Sequence, residues 1–174
     1  MRKFHDNSVA PIVAMDFDGT LCEPSDYPLI GNMRQFADKV MKFMVDIGIK
    51  VVIYTSRDVA IEQNEHRVID DLTPMVNWLK DNNIPYSAIN KSIQFAPFFY
   101  NSRKIYAHRY VDDRSSGWVE SKMSMIYVLA DILENLLDIH HDDIGVVTGM
   151  IARGEEIGDD IIGKFRKYVE EFWV

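Results

Sequence analysis

Apolar positions along this chain switch between two periods. Residues 11–17 (PIVAMDF) form a continuous apolar run that breaks at Asp18-Gly19, and 50–55 (KVVIYT) form a second that stops at Ser56-Arg57-Asp58. Short apolar runs without alternation predict strands covered on both faces of a parallel sheet. Residues 84–89 predict a third strand, and 105–111 (IYAHRYV) a fourth that ends at Asp112-Asp113-Arg114. Between the first two runs, Met33, Phe36, Ala37, Val40, Met41, Met44 and Val45 recur at helical spacing, with Asn32 placed to cap the start and Gly48 just past the end. A further helical stretch is expected over 60–82, divided at Pro74. Beyond Trp118 the strand signal is lost, and 122–139 and 161–173 carry helical periodicity alone. The order predicts an α/β fold with a doubly wound parallel sheet over 1–118 and a C-terminal helical extension over 119–174. In such a sheet ligands bind at the carboxyl ends of the strands.

Composition narrows the classes of function. A chain of 174 residues with 47% hydrophobic side chains can fill one ordinary core. A formal charge of -8 disfavours broad adhesion to nucleic acid or to an anionic membrane surface, so a polyanionic substrate would need a local basic patch. Arg57, Arg103, Lys104, Arg109 and Arg114 are the residues that could form one. The single cysteine, Cys22, cannot form an internal disulfide. No run approaches the length of a membrane span, and the expected setting is the cytoplasm.

The chemistry concentrates where the strands end. In DFDGT, Asp16 and Asp18 lie two residues apart and therefore on one side of an extended chain, while Gly19 permits a sharp turn that re-aims the second carboxylate. A hard divalent cation such as Mg2+ would let this acidic site accept a phosphate that it would otherwise repel. Asp112 and Asp113 are adjacent at another strand end, and that pair also calls for a compensating cation. Thr55 closes the second strand with a hydroxyl able to donate to a phosphoryl oxygen.

Taken together, DFDGT, the TSR of Thr55-Ser56-Arg57, a following lysine and the VDDR of residues 111–114 resemble the haloacid dehalogenase superfamily, in that family's order and over about residues 12–117. The resemblance implies a Mg2+-dependent phosphatase on a Rossmann-like core. It makes Asp16 the nucleophile and a metal ligand, and Asp18 the acid and later the base, with its carbonyl on the metal. It also implies Thr55 as a phosphate ligand, with Ser56, Gly19, Thr20 and Arg114 at the substrate, and Arg57 either there or paired with a local acid. Asp113 is the preferred direct metal ligand and Asp112 its support, an assignment the sequence leaves open. Two residues compete for the catalytic lysine. Lys104 precedes the last strand and is preferred, and Lys91 follows the third.

Residues 21–49 hold one loop and one helix, and 56–106 leave no room for a large folded insert, so the chain resembles the capless members of that superfamily. The expected substrate is a phosphomonoester, a small phosphometabolite or a nucleotide. A polynucleotide 3'-phosphatase is the alternative enzyme, and a phospho-acceptor or vestigial binding module the alternative that is not an enzyme. His140-His141-Asp142-Asp143 reads as an exposed junction rather than a metal site, Cys22 as a packing residue rather than a nucleophile, and the aromatic run 95–100 as core or subunit packing as readily as a substrate entrance. Oligomeric state is not legible.

Overall fold

The computed structural model describes residues 10–62, 67–93 and 105–171. In chain order these form β1 (Ile12–Asp16), α1 (Ala37–Asp46), β2 (Lys50–Tyr54), β3 (Val59–Glu62), β4 (Arg67–Asp70), α2 (Leu72–Asp81), β5 (Ala88–Ile89) and β6 (Arg109–Val111). Three helices follow, α3 (Ser124–Asp131), α4 (His141–Arg153) and α5 (Asp159–Glu171), with α3 running directly into a π-helical turn over Ile132–Leu136. Strands β5, β2, β1 and β6 lie side by side in that order, and every pairing is parallel. This is the Rossmann-like α/β arrangement that the alternation of runs predicts. The chain builds outward from β1 through β2 to β5 and then returns to the far side of β1 for β6. Strand order therefore reverses at β1, where a parallel sheet opens a crevice at its carboxyl edge.

Period-two alternation sorts the central strands between two apolar clusters. Val13, Met15, Val51 and Ile53 belong to the larger, which also contains Val40, Met44, Met75, Leu79, Leu129, Ile132, Val147 and Phe165. Ile12 and Val52 point the other way, against Ile105. The C-terminal helices are thus part of the same core as the sheet. Leu129, Ile132, Leu133, Val147, Ile151 and Phe165 are all at most 2% exposed. At about 1.5–3 kcal/mol for each fully buried side chain, these six together contribute roughly 10–20 kcal/mol, as much as the net stability of a whole domain.

The helix expected over 60–82 is present only in its second half. Residues 59–62 and 67–70 instead pair as an antiparallel β-ribbon, with Val59 opposite Asp70 and Ala60 opposite Ile69. Branched side chains at Val59, Ile61, Val68 and Ile69 suit a pleated ribbon better than a helix. Pro74 is the third residue of α2, in the first turn where a missing N–H costs nothing, so it opens the helix instead of dividing one. The helix expected from Met33 starts four residues later, since Phe36 has φ 69° and the intervening chain turns. Strands expected over 84–89 and 105–111 shorten to Ala88–Ile89 and Arg109–Val111.

In the tail, α4 lies between the two helices the periodicity predicts. Its glycines, Gly145 and Gly149, dilute the helical signal. His140 caps it, its Nδ1 accepting from the Asp142 N–H, and Gly154 closes it at φ 77°. Among the described residues no helix is long and apolar enough to cross a membrane.

Candidate active site

Strand register brings the carboxylates together. Asp16, last in β1, pairs with Tyr54 on one side, and Met15 pairs with Val111 on the other, so Asp112 emerges beside Asp16. After Asp16 the chain turns sharply, and the N–H groups of Thr20, Leu21 and Cys22 all point at the Phe17 carbonyl, at 3.3, 3.0 and 3.3 Å. Gly19 makes the turn at φ 85°, and a Cβ there would lie 2.3 Å from Oδ2 of Asp113. Only glycine lets the two loops approach this closely. Thr20 locks them together, its buried hydroxyl accepting from the Asp113 N–H at 2.9 Å and facing Oδ2 of Asp16 at 3.4 Å.

The result is an acidic cleft of about 300 Å³ lined by Asp16, Asp18, Tyr54, Thr55, Ser56, Asp112, Asp113 and Arg114. Carboxylate oxygens of Asp16, Asp112 and Asp113 all lie within 4.8 Å of one another. Burial, followed by the charges of Asp112, Asp113 and Asp18, pushes the Asp16 carboxyl up to about 7, despite a lowering contact from the Phe17 N–H. Burial and then Asp112 raise Asp113 as well. Three half-buried carboxylates in mutual repulsion are a donor set of hard oxygens that fits a divalent cation such as Mg2+. Asp16, Asp112 and Asp113 are the residues that would hold it.

The other strand ends supply aimed polar groups. The Thr55 hydroxyl accepts from the Arg57 N–H at 3.1 Å, which leaves its own proton for a ligand. Asn90, at the end of β5, fixes the Thr55 backbone by two bonds of 2.9 Å, accepting from its N–H and donating to its carbonyl. The Tyr54 hydroxyl donates to Oδ2 of Asp112 at 3.1 Å, and the Arg114 N–H donates to Oδ1 at 2.9 Å. Asp112 is therefore held by groups around it, whereas Asp113 is anchored through its own backbone. Beyond the cleft, a wider cavity of about 690 Å³ is lined by Tyr54, Thr55, Asn90, Ile105, Tyr110, Asp112, Arg114 and Ser115.

No family model matches the chain, and no curated protein matches it. A solved structure does, the conserved protein coded by a locus from Bacteroides thetaiotaomicron. It superposes with a TM-score of 0.55 at 23% identity, over 74% of this chain and 93% of that one. The likeness is one of fold.

Of the residues expected at the site, Asp16, Asp18, Thr55, Ser56, Asp112, Asp113 and Arg114 line the cleft, while Gly19 and Thr20 shape its floor. Arg57 does not reach it as a substrate ligand. Its side chain is 1% exposed and its donors are occupied by Asp18 and by the carbonyls of Pro28 and Leu29. Lys91 is exposed just after β5 and does not line the cleft, and Lys104 lies outside the described residues, as does the aromatic run 95–100. Cys22 is buried, its thiol donating to the Phe17 carbonyl at 3.5 Å, and burial pushes the thiol up, as suits a packing residue.

Tyr54, Asn90 and Arg34 were not legible. Arg34 is 6% exposed, donates from Nε to the Gly19 carbonyl at 2.8 Å and pairs through its fork with Glu120 at 2.7 and 2.9 Å. An isolated arginine, asparagine or strand tyrosine carries no local signal of such a contact.

Proposed function

We propose that this chain is a Mg2+-dependent phosphomonoesterase working through an aspartyl-phosphate on Asp16, in the manner of the haloacid dehalogenase superfamily that its motifs resemble. The observation that carries the proposal is the meeting of Asp16, Asp112 and Asp113 within 4.8 Å beside the free hydroxyl proton of Thr55. A bound magnesium ion supplies the positive charge that lets a phosphate dianion approach these carboxylates.

The chain's own groups then have distinct parts. A carboxylate oxygen of Asp16 attacks phosphorus and the P–O bond to the leaving group breaks, while Asp18 gives a proton to the departing oxygen. Water next attacks the phosphorus of the acyl phosphate, its proton returns to Asp18, and the Asp16 carboxylate leaves with inorganic phosphate released. Thr55 donates to a phosphoryl oxygen throughout, held in aim by Asn90. Tyr54 and the Arg114 N–H keep Asp112 directed at the metal position.

The adjoining 690 Å³ cavity supports a small leaving group, a nucleoside among the candidates, better than a long polyanion. The test is phosphate release with Mg2+ from nucleoside monophosphates, sugar phosphates, phosphoamino acids and 3'-phosphorylated oligonucleotides. Turnover that appears with Mg2+, vanishes with chelator and vanishes in Asp16→Asn supports the reading. Turnover surviving in Asp16→Asn overturns it. Activity confined to oligonucleotides and falling steeply with salt would move the substrate to nucleic-acid ends.

A further inference from the structure

The second carboxylate of DFDGT is held by a device of its own. The Arg57 guanidinium donates from Nε to Oδ2 of Asp18 at 2.9 Å and from Nη2 to Oδ1 at 2.7 Å, a forked pair. Its remaining donors reach back to the loop that follows DFDGT, Nη1 to the Pro28 carbonyl and Nη2 to the Leu29 carbonyl, each at 2.9 Å. Two rings lie against the group, with its carbon 5.6 Å from the centre of Phe17 and 5.2 Å from that of Tyr27. The Tyr27 hydroxyl in turn donates to Asp71, at the foot of α2 where the ribbon ends. A cation this buried is costly unless every donor is satisfied, and here each side-chain hydrogen bond goes to Asp18 or to the loop beside it.

From this geometry we infer that Arg57 is a positioning residue that fixes Asp18, the group that relays the proton in the proposed reaction, against the 27–29 loop, so that loop placement and Asp18 orientation are one property. The inference rests on the phosphatase reading. Thr55 and Arg57, two residues apart, thereby serve the two halves of the reaction, Thr55 at the phosphoryl group and Arg57 through the acid. Lysine keeps the charge at position 57 but cannot span a carboxylate and two carbonyls, because it lacks the planar fork.

The experiment compares an alkyl phosphate with p-nitrophenyl phosphate, whose phenolate departs without a proton. In Arg57→Lys, kcat for the alkyl ester should fall about 10²-fold with KM nearly unchanged, while the aryl ester loses only a few-fold. On an Asp18→Asn background, Arg57→Lys should cost under about three-fold more, since a residue acting through Asp18 has nothing left to act on. Tyr27→Ala, at a side chain 60% exposed and so safe for folding, should show the same split at smaller size.

Equal losses on both esters, no loss on either, or full additivity with Asp18→Asn would overturn the clamp while leaving the phosphatase reading intact. If Arg57→Lys does not fold, the Tyr27→Ala split alone decides, and equal effects on the two esters reject the clamp. A wild-type protein that releases phosphate from neither ester, or an Asp16→Asn variant that still does, would fell both readings together.

Discussion

Among the described residues, two clusters each bring three side chains of metal-ligand type within 4.8 Å, and they are built in opposite ways. Asp16, Asp112 and Asp113 come from the ends of two parallel strands far apart in sequence and are half-buried, and burial, followed by the neighbouring carboxylates, pushes the Asp16 carboxyl up to about 7. His140, His141 and Asp142 are neighbours at the start of α4, with side chains 65%, 76% and 79% exposed. They already have local work. His140 caps the helix through Nδ1, and Asp142 faces both rings at 3.4 and 3.3 Å. The first cluster carries an electrostatic cost that Arg114, Arg34 and the Tyr54 hydroxyl relieve only in part. The second carries none, because water screens it. Proximity of ligand types is common to both. What separates a candidate centre from a surface coincidence is convergence from distant strands together with desolvation.

The sharpest way to break this contrast is to neutralise one carboxylate in the strand cluster. Asp16→Asn removes the nucleophile, and phosphate release should fall by on the order of 10⁴-fold or more, as steady-state assay of the purified variant would show. Asp113→Asn comes next. Removing one of three candidate ligands should raise the Mg2+ concentration for half-maximal activity by about 10- to 100-fold, with a smaller rise for Asp112→Asn, whose carboxylate is partly occupied by Tyr54 and the Arg114 N–H. Magnesium titrations of the two variants measure the order directly. If Asp112→Asn proved the worse, the preference for Asp113 as direct ligand would have to be exchanged.

That ranking also marks how far the sequence could be read. Apolar runs ending in DFDGT, TSR and VDDR located three strand ends correctly, because a buried strand and the loop that stops it are both local signals. The pairing of Tyr54 with Asp112, the clasp of Asn90 on Thr55 and the capture of Arg57 by Asp18 depend on register across the sheet, which no local pattern encodes. Arg57 is the instructive case. An arginine beside a phosphate motif reads as the partner of a local acid as readily as a substrate ligand, and here a carboxylate and two loop carbonyls take its donors. The β-ribbon was missed for a related reason, since its branched residues adjoin a true helix and the combined stretch mimics one longer period.

Acidity offers a third test, smaller in size and different in kind. Asp16 binds its proton more tightly folded, at about 7, than its ordinary value of 3.8 allows in an unfolded chain. Its contribution to stability is therefore fully present below about 4, declines as pH rises, and is gone above about 7. In metal-free protein this group lowers the melting temperature between pH 5 and pH 8. Mg2+ binds the ionised cluster, so it competes with that proton and should stabilise most where the proton is lost. At pH 8 a hundred-fold excess over Kd should raise the melting temperature by about 5 °C or more, and at pH 5 by much less. Thermal melts at the two pH values, with Mg2+ and with chelator, give four numbers whose pattern decides it. Equal stabilisation at both would mean that the ion binds elsewhere.

The smallest expected effect closes the contrast from the other side. His140→Ala with His141→Ala removes two of the three candidate ligands at α4, so a metal-dependent role there would be lost outright. The two rings are exposed and lie tilted against each other, with centres 4.1 Å apart, and what they contribute here is a 3.4 Å cap and exposed contacts to Asp142. Losing such a cap costs about 0.5–2 kcal/mol. The double variant should melt within a few degrees of the parent and keep its turnover and its magnesium requirement. Loss of activity from this exposed turn would mean that burial and convergence do not distinguish the two clusters, and that the site of chemistry had been placed at the wrong end of the fold.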